Sequence, residues 1–267
     1  MKNNRAKLLL CIGVSTAVLL SACSGTEKFT RDYATFRVGE YEIENNTWGK
    51  DQLGTKDLTD YRQCIFRERA STSGAGTYGW SWRWPLHDGH VKAYPEIKYG
   101  WKPWSKESLV PGFPRRIGGI SRIPVEYDIS IEATGKYNLS FDIWLVSDTL
   151  PAPENISFEI MVWVDNLNWD KMDVDAEDLT SAGAVSIDTA EYTLYTGKVN
   201  SGGWTYFSFV KKERQLKGAL DLNAFLSWLV AQSFIPDSEY LTCIELGNEL
   251  LYGEGTTTVH SLSLSVQ

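Results

Sequence analysis

One stretch of alternating residues, from Ile156 to Val164, predicts the β-strand around which the chain is organised. Its first face is apolar and is predicted to be core: Ile156, Phe158, Ile160, Val162 and Val164. Its second face carries Ser157, Glu159, Met161 and Trp163. A carboxylate beside a thioether and an indole is unusual on a solvated surface, but it suits the floor of a groove that holds something flat and weakly polar. Glu159 is therefore the predicted centre of a site.

The same period of two predicts further strands along the chain. The segments concerned include 33–38, 41–49, 64–67, 80–84, 125–131, 137–145, 192–195, 204–210, 240–249 and 259–266. Thr134-Gly135-Lys136 predicts a hairpin turn between two of them. Asp142 and Trp144 share the polar face of strand 137–145. If that strand pairs with the Glu159 strand, Asp142 lies in the same groove.

A single helix is predicted between Asp221 and Pro236. Asp221 is a candidate N-cap, and an apolar stripe at helical spacing follows it: Leu222, Phe225, Leu226, Leu229 and Val230. One helix among many strands is expected to pack on the back of a sheet. Because no internal repeat or linker is visible, residues 33–267 are predicted to form one mainly β domain.

The amino-acid composition indicates which class of molecule the protein binds. The chain has 11 Trp, 13 Tyr, 10 Phe and 22 Gly, a mixture typical of β-sandwiches and of surfaces on which sugar rings stack. Trp80, Trp82 and Trp84 recur at period two, which places three indoles on one face of a strand. The formal net charge of −8 argues against nucleic acid, because phosphate binding needs a basic surface.

The amino-terminal segment is predicted to be a signal and not part of the fold. Basic residues precede an apolar run, 8–20, that is too short to span a bilayer comfortably. The sequence Leu20-Ser21-Ala22-Cys23 resembles the bacterial lipobox, which implies cleavage after residue 22 and lipidation of Cys23. Residues 23–32 are then a polar tether, and Ser24 favours the outer membrane. An ordinary secretory signal with a chance cysteine is the alternative.

Two other features leave alternatives open. Cys64 and Cys243 could pair in an oxidising compartment, but the sequence does not show whether they lie within bridging distance. The acidic run 165–178 lacks the glycine and the spacing of a calcium loop, so a solvated loop over the groove is the better prediction. No metal site and no cofactor are predicted.

Carboxylates facing an aromatic groove suggest glycoside hydrolysis. That reaction needs one acid to protonate the leaving oxygen and a second group to attack or to activate water. Glu159 and Glu249 are the candidates. Composition and periodicity alone do not favour Glu249 over Glu245, Glu254 or Asp142.

Several motifs in the right order resemble glycoside hydrolase family 12. Asn45-Asn46-Thr47-Trp48-Gly49 is similar to an early motif of the family, and Glu159-Ile160-Met161-Val162-Trp163 to its nucleophile strand. Phe141-Asp142 matches an aromatic-Asp pair, and Gly247-Asn248-Glu249 resembles the acid/base motif. The resemblance implies a β-jelly-roll sandwich of two antiparallel sheets with one α-helix packed on the back. It also implies a retaining endo-β-1,4-glucanase or xyloglucanase that needs no metal.

The family resemblance assigns roles to individual residues. Glu159 becomes the nucleophile, Glu249 the acid/base that should titrate high, and Asp142 the group that hydrogen-bonds the nucleophile. Retention further predicts a separation of roughly 5–5.5 Å between the two catalytic carboxyl groups. Six residues are implied to bind substrate: Asn46, Trp48, Trp82, Trp84, Met161 and Trp163. The family's early cysteine partner for Cys64 is absent, which places the usual disulfide in doubt.

The expected function is a monomeric, lipid-anchored endoglucanase at the cell envelope that acts on a β-1,4-linked glucan. Cellulose, mixed-linkage glucan and xyloglucan are not separated by the sequence. A non-catalytic glycan-binding lipoprotein on the same fold is the main alternative. A structural surface protein would leave the tryptophan-rich groove unexplained.

Overall fold

A computed structural model describes residues 25–52, 60–68, 76–86, 89–171, 176–199 and 203–267. The predicted signal peptide, 1–22, and the predicted lipidation site, Cys23, lie outside these residues. Within the described ranges, no helix is both long and apolar enough to cross a membrane.

The chain folds into strands with one α-helix. The strands are β1 Thr26–Phe29, β2 Thr35–Val38, β3 Tyr41–Glu44, β4 Arg62–Glu68, β5 Tyr78–Trp84, β6 Glu96–Gly100, β7 Arg115–Arg116, β8 Pro124–Ala133, β9 Lys136–Val146, β10 Ile156–Leu167, β11 Ala176–Ile187, β12 Ala190–Val199, β13 Thr205–Lys211, β14 Lys217–Asp221, β15 Tyr240–Gly247 and β16 Leu250–Leu264. The helix is α1 Leu222–Ala231, and short 3₁₀ turns lie at Trp48–Gln52, Ile117–Gly119 and Pro153–Asn155.

These strands form two layers. The groove sheet has the order β2-β3-β6-β15-β9-β10-β13-β12-β11, with β7 beside β15. The back sheet has the order β1-β4-β5-β16-β8-β14. Pairing is antiparallel except between β10 and β13, which run parallel. The all-β sandwich with one helix, of jelly-roll type, is confirmed.

The core lies between the sheets, where every second side chain of a strand points inward. Phe141, Ile143, Ile160, Val162 and Phe209 have no exposed surface. Each such side chain contributes about 1.5–3 kcal/mol to stability through burial. The opposite faces of β9 and β10 therefore remain for the groove.

The helix begins as the sequence predicts. The Asp221 carboxylate accepts hydrogen bonds from the backbone N–H of Asn223 at 3.1 Å and of Ile123 at 2.8 Å. Phe225 packs edge-on against Phe209, with ring centroids 5.0 Å apart. The helix therefore covers the core side of β12 and β13, on the back of the groove sheet.

The predicted hairpin at 134–136 is wrong. Strand β8 pairs with β14 and β16 in the back sheet, whereas β9 pairs with β10 and β15 in the groove sheet. The turn is a crossover between the two layers. Gly135 has φ +97° and lies directly against the backbone of Tyr252, which leaves no room for a side chain.

Three further predictions about the chain path need correction. Residues 26–29 are not a loose tether, because β1 pairs with β4 and Phe29 stacks on Phe36 at 5.1 Å. The acidic run 165–178 is not one loop: β10 extends to Leu167, and β11 begins at Ala176. Ile156 leaves the core face because the strand register shifts between Ile156 and Phe158, and it packs with Trp144 on the groove side.

Both cysteines that the structure describes are free thiols. Cys64 on β4 is buried near the Ser81 hydroxyl at 3.2 Å, and Cys243 on β15 is buried in the cluster that contains Trp144. They lie on strands of opposite sheets. The open prediction of a disulfide between them is not realised.

Candidate active site

A cleft of about 660 Å³ lies on the outer face of the groove sheet. Side chains from β3, β15, β9, β10, β13 and β12 contribute to its lining, together with the segments that follow β3, β6 and β15. Asp142, Glu159 and Glu249 all reach this cleft, although they come from three different parts of the chain.

Strand pairing places Glu159 in the middle of the cleft floor. It lies opposite Trp144 on β9 and opposite Tyr206 on β13, while Met161, two residues later, lies opposite Asp142. The indole N–H of Trp204 donates a hydrogen bond to Glu159 Oε2. Burial raises the pKa of Glu159 to about 7, and the Trp204 hydrogen bond and the positive charge of Lys102 oppose that rise.

Asp142 has a different environment. Burial, and then the negative charges of Glu159, Glu245 and Glu249, raise its pKa well above the usual range. Its Oδ1 atom has no hydrogen-bond partner among the described residues. The predicted hydrogen bond from Asp142 to Glu159 is likewise not present there.

Glu249 is held by an asparagine that sequence reasoning did not single out. The Asn138 side-chain amide donates to Glu249 Oε2, and Asn138 Oδ1 accepts the backbone N–H of Glu249 at 3.2 Å. A backbone bond from Asn138 N to Glu249 O, also 3.2 Å, completes the contact. Asn138 shares the groove face of β9 with Asp142, four residues on, and this spacing was the available signal.

The residue before Glu249 anchors the connection between β15 and β16. Asn248 Oδ1 accepts from the Trp80 indole at 2.8 Å and from the Thr257 hydroxyl at 2.7 Å. Its amide donates to the Asn138 backbone oxygen at 2.7 Å. Because all four residues are fully buried, each of these bonds is needed to satisfy a polar group out of water.

A charged network flanks the carboxylates. Lys102 Nζ lies 2.7 Å from Glu96 Oε1 and 2.9 Å from Glu245 Oε1. The Trp144 indole donates to Glu245 Oε2 at 3.1 Å. Burial and the charge of Glu245 raise the pKa of Glu96 to about 8. This network also reaches the predicted substrate residue Asn46, whose amide donates to Glu96 Oε1 at 2.9 Å.

Asn46 in turn positions the aromatic end of the cleft. Its Oδ1 accepts the backbone N–H of Trp48 at 3.1 Å, and both residues line the cleft. The Trp48 side chain is 40% exposed, as a stacking platform requires. Tyr33, 52% exposed, lines the same end and was not among the predicted residues.

The sequence profile described as glycosyl hydrolase family 12 matches residues 39–267. The chain belongs to this family. The resemblance that the motifs indicated is therefore confirmed.

The chain is similar to curated proteins that carry names of several kinds. It is 27% identical over 257 residues to Endoglucanase S of Pectobacterium parmentieri, covering 94% of this chain and 90% of that protein. It is 26% identical to a xyloglucan-specific endo-beta-1,4-glucanase A of Emericella nidulans, covering 96% and 98%. It is also 28% identical to an inactive glycoside hydrolase of Phytophthora nicotianae, covering 96% and 98%.

The fold agrees with a solved family 12 enzyme. A native family 12 xyloglucanase from Bacillus licheniformis superposes with a TM-score of 0.78 at 27% identity, covering 90% of this chain and 100% of that one. The chain therefore shares the sandwich architecture of the family along nearly its whole described length.

Three residues predicted to bind substrate in this family 12 member are not on the cleft surface. Trp82 is 4% exposed, Trp84 is 2% exposed and Trp163 is fully buried. The inner face of β5 packs Trp82 and Trp84 into the core, where Trp84 stacks on Tyr61 at 4.5 Å. Trp163 packs on Trp169 at 5.1 Å. Periodicity put the β5 indoles on one face correctly, but it could not tell an inner face from a groove.

Three tryptophans that were not predicted to bind substrate line the cleft of this family 12 protein. Trp104, Trp144 and Trp204 meet edge to face, with ring centroids 5.1 to 6.3 Å apart, and all three line the cleft. Trp104 is 51% exposed. Trp144 could have been found from its position two residues after Asp142, and Trp204 from its position at the start of the predicted strand 204–210, directly before β13. Trp104 comes from a loop whose path the sequence does not reveal.

Proposed function

We propose that this family 12 protein is a retaining endo-β-1,4-glucanase that hydrolyses β-glucan or xyloglucan by double displacement. The observation that supports it best is the meeting of Glu159 and Glu249, from distant parts of the chain, in one aromatic-lined cleft. The names of the relatives, an endoglucanase and xyloglucan-specific endoglucanases, support the same substrate class.

The two glutamates divide the work in the proposed reaction. A Glu159 carboxylate oxygen bonds to the anomeric carbon while the glycosidic C–O bond breaks, and Glu249 gives its proton to the departing oxygen. Water then attacks the same carbon and gives a proton to Glu249, and the bond to Glu159 breaks. Asp142, whose pKa is raised by burial, would hydrogen-bond Glu159 in the proposed reaction and hold it in place.

Sugar binding is proposed at the end of the cleft that holds Asn46 and Trp48. The exposed indole of Trp48 can stack on the face of a pyranose ring. The Asn46 side chain, itself bound to Glu96, holds the backbone of Trp48 in place by a hydrogen bond. Met161, opposite Asp142 on the cleft floor, would contact the sugar at the point of cleavage.

A reducing-sugar assay on xyloglucan, barley glucan and carboxymethylcellulose tests the activity and separates the substrates. The parent should release reducing ends from at least one polymer, and Glu159→Ala and Glu249→Ala should lose nearly all of that activity. Trp84→Phe, a core variant, serves as the control for nonspecific damage. An unimpaired Glu159→Ala variant would refute the proposal.

A non-catalytic glycan-binding protein is the second candidate. It is favoured by the fact that one relative, 28% identical, carries the name of an inactive glycoside hydrolase. This chain retains both glutamates in its cleft, which a pure binder does not need. Binding of cello-oligosaccharides without any cleavage on long incubation would support this candidate.

We further propose that the mature protein is a monomer held at the cell envelope by lipid on Cys23, at the outer membrane. The lipobox-like sequence ending at Cys23 supports the lipid anchor. Radiolabelled palmitate should enter the parent and not Cys23→Ala. Labelling that survives the substitution would contradict the anchor.

A further inference from the structure

Trp204 makes a direct contact with the proposed nucleophile that the proposed mechanism does not use. Its indole N–H donates to Glu159 Oε2, and its ring is held edge to face by Trp144 at 5.5 Å and by Trp104 at 6.3 Å. Glu159 itself is 8% exposed. The contact is therefore a charge-assisted hydrogen bond in a site largely shielded from water.

The chemistry of the indole limits what this contact can do. Indole N–H is a donor and has no acceptor atom, so it favours a carboxylate oxygen over a protonated carboxyl group. A hydrogen bond to the charged form of an acid lowers its pKa. Trp204 therefore opposes the burial that raises the pKa of Glu159.

Other titratable groups line the cleft around Glu159. Asp142 on β9, Glu245 on β15 and Glu249 before β16 are acidic, and the Tyr206 hydroxyl faces it from β13. Among the described residues, Lys102 is the cation that lines the same cleft, and it is already bound to Glu245 and Glu96. Trp204 is thus a neutral donor on the nucleophile in a mainly acidic setting.

We propose that Trp204 is a positioning residue that keeps Glu159 ionised and selects which of its two oxygens attacks. This inference rests on the proposed role of Glu159 as nucleophile. With Oε2 bound to Trp204, Oε1 is the oxygen that forms the bond to the anomeric carbon. In the resulting ester Oε2 is the carbonyl oxygen, an acceptor that the same indole N–H can continue to bind. When water attacks the anomeric carbon and gives its proton to Glu249, the bond from that carbon to Oε1 breaks and its electron pair returns to Oε1.

The test is the pH profile of kcat/KM on 4-nitrophenyl β-cellotrioside for the parent, Trp204→Phe and Trp104→Phe. Trp204→Phe keeps an aromatic ring and removes the donor, so its acidic limb should move up by roughly one pH unit. At pH values below the acidic limb of the parent, kcat/KM of Trp204→Phe should then be about tenfold lower than that of the parent. At high pH, where Glu159 is ionised in both proteins, the difference should be small. Trp104→Phe changes the same indole cluster and should leave the limb in place.

The outcomes separate this inference from the proposed function. If Trp204→Phe and Trp104→Phe have the same acidic limb as the parent, or lose activity equally at every pH, Trp204 has only a structural role. If Glu159→Gln keeps full activity, the proposed function fails instead.

A second measurement does not depend on the folding of Trp204→Phe. In the parent labelled with ¹⁵N-tryptophan, one indole N–H resonance should shift as Glu159 titrates, and that shift should vanish in Glu159→Gln. If the pH dependence of every indole resonance is the same in the parent and in Glu159→Gln, the inference is overturned.

Discussion

At the scale of single residues, the carboxyl groups of the cleft differ mainly in their hydrogen-bond donors. Glu159 accepts a hydrogen bond from the Trp204 indole, and Glu249 accepts one from the Asn138 side-chain amide. Asp142 Oδ1 lacks a donor among the described residues, and burial together with like charges raises the pKa of Asp142. Acid/base chemistry with several carboxyl groups requires different environments of this kind, because they separate the pKa values of the groups.

Asn138→Ala should impair proton donation by Glu249. The Asn138 amide stabilises the carboxylate that Glu249 becomes as it gives up its proton. Losing one hydrogen bond to that developing charge corresponds to about a 10- to 100-fold fall in kcat/KM on glucan. Since 2,4-dinitrophenolate leaves without a proton, kcat/KM on 2,4-dinitrophenyl β-cellobioside, which reports the first step, should fall much less. Ser140→Ala, on the same face of β9, is the control. An equal loss on both substrates would contradict this role.

Glu96 should make the protein less stable as pH rises. Its pKa is about 8 in the folded protein and near 4.5 in the unfolded chain, so the folded state holds a proton that the unfolded state releases. The stabilisation is complete below pH 4.5 and is lost as pH rises through about 8. Thermal unfolding at pH 5 and pH 8 should show a gap in Tm that narrows in Glu96→Gln and persists in the surface control Glu126→Gln. An unchanged gap in Glu96→Gln would contradict the shift.

At the scale of elements, β16 joins the two sheets and delivers Glu249 to the cleft. Its first residues pair with β9 in the groove sheet, and residues from Gly253 onward pair with β5 and β8 in the back sheet. Asn248, just before it, bonds to Trp80 of β5 and to Asn138 of β9. The position of the acid/base thus depends on both layers.

Asn248→Ala should disturb stability and catalysis together. It leaves the Trp80 indole N–H and the Thr257 hydroxyl buried without their acceptor, at a cost of about 1–3 kcal/mol each. Urea unfolding should show a loss of roughly 2–6 kcal/mol, with a fall in kcat from the displaced Glu249. Thr257→Val replaces the hydroxyl donor by a methyl group, so no buried donor is left unsatisfied at that position. Its loss of unfolding free energy should therefore be smaller. Equal stability of Asn248→Ala and the parent would contradict the anchoring role.

The elements show what the sequence can and cannot predict. Alternation located β9, β10 and β13, and the cap at Asp221 located α1, because these signals are local. The hairpin at 134–136 failed because a short Gly turn fits a crossover between layers as well as a hairpin. Strand β11 was missed because its sequence, AEDLTSAGAVSI, has no apolar alternation at its start.

At the scale of the whole molecule, the site combines residues that no local pattern connects. Family motifs identified Glu159, Glu249, Asp142, Asn46 and Trp48, and the fold brings all five to one cleft. The donors Asn138 and Trp204 were missed because their importance depends on which strands are neighbours. The β5 indoles were misplaced for the same reason, since the sheet that carries them decides whether they face sugar or core.

A pair of tryptophan variants tests this division between cleft and core. Trp48→Ala should raise KM on soluble glucan about tenfold, as expected for one stacking contact of roughly 1–2 kcal/mol, with little change in stability. Trp82→Phe should lower the free energy of unfolding by roughly 1–3 kcal/mol and leave KM unchanged. A raised KM in Trp82→Phe at unchanged stability would return that residue to the substrate surface.

The central claim is that Glu159 forms a covalent bond to the sugar. The mature protein, incubated with 2-deoxy-2-fluoro-β-cellobiosyl fluoride and analysed by intact mass and peptide mapping, tests this directly. We expect a single cellobiosyl label on Glu159, and products of the unlabelled enzyme that first appear as the β-anomer. A label on any other residue, or the α-anomer as the first product, would contradict the account.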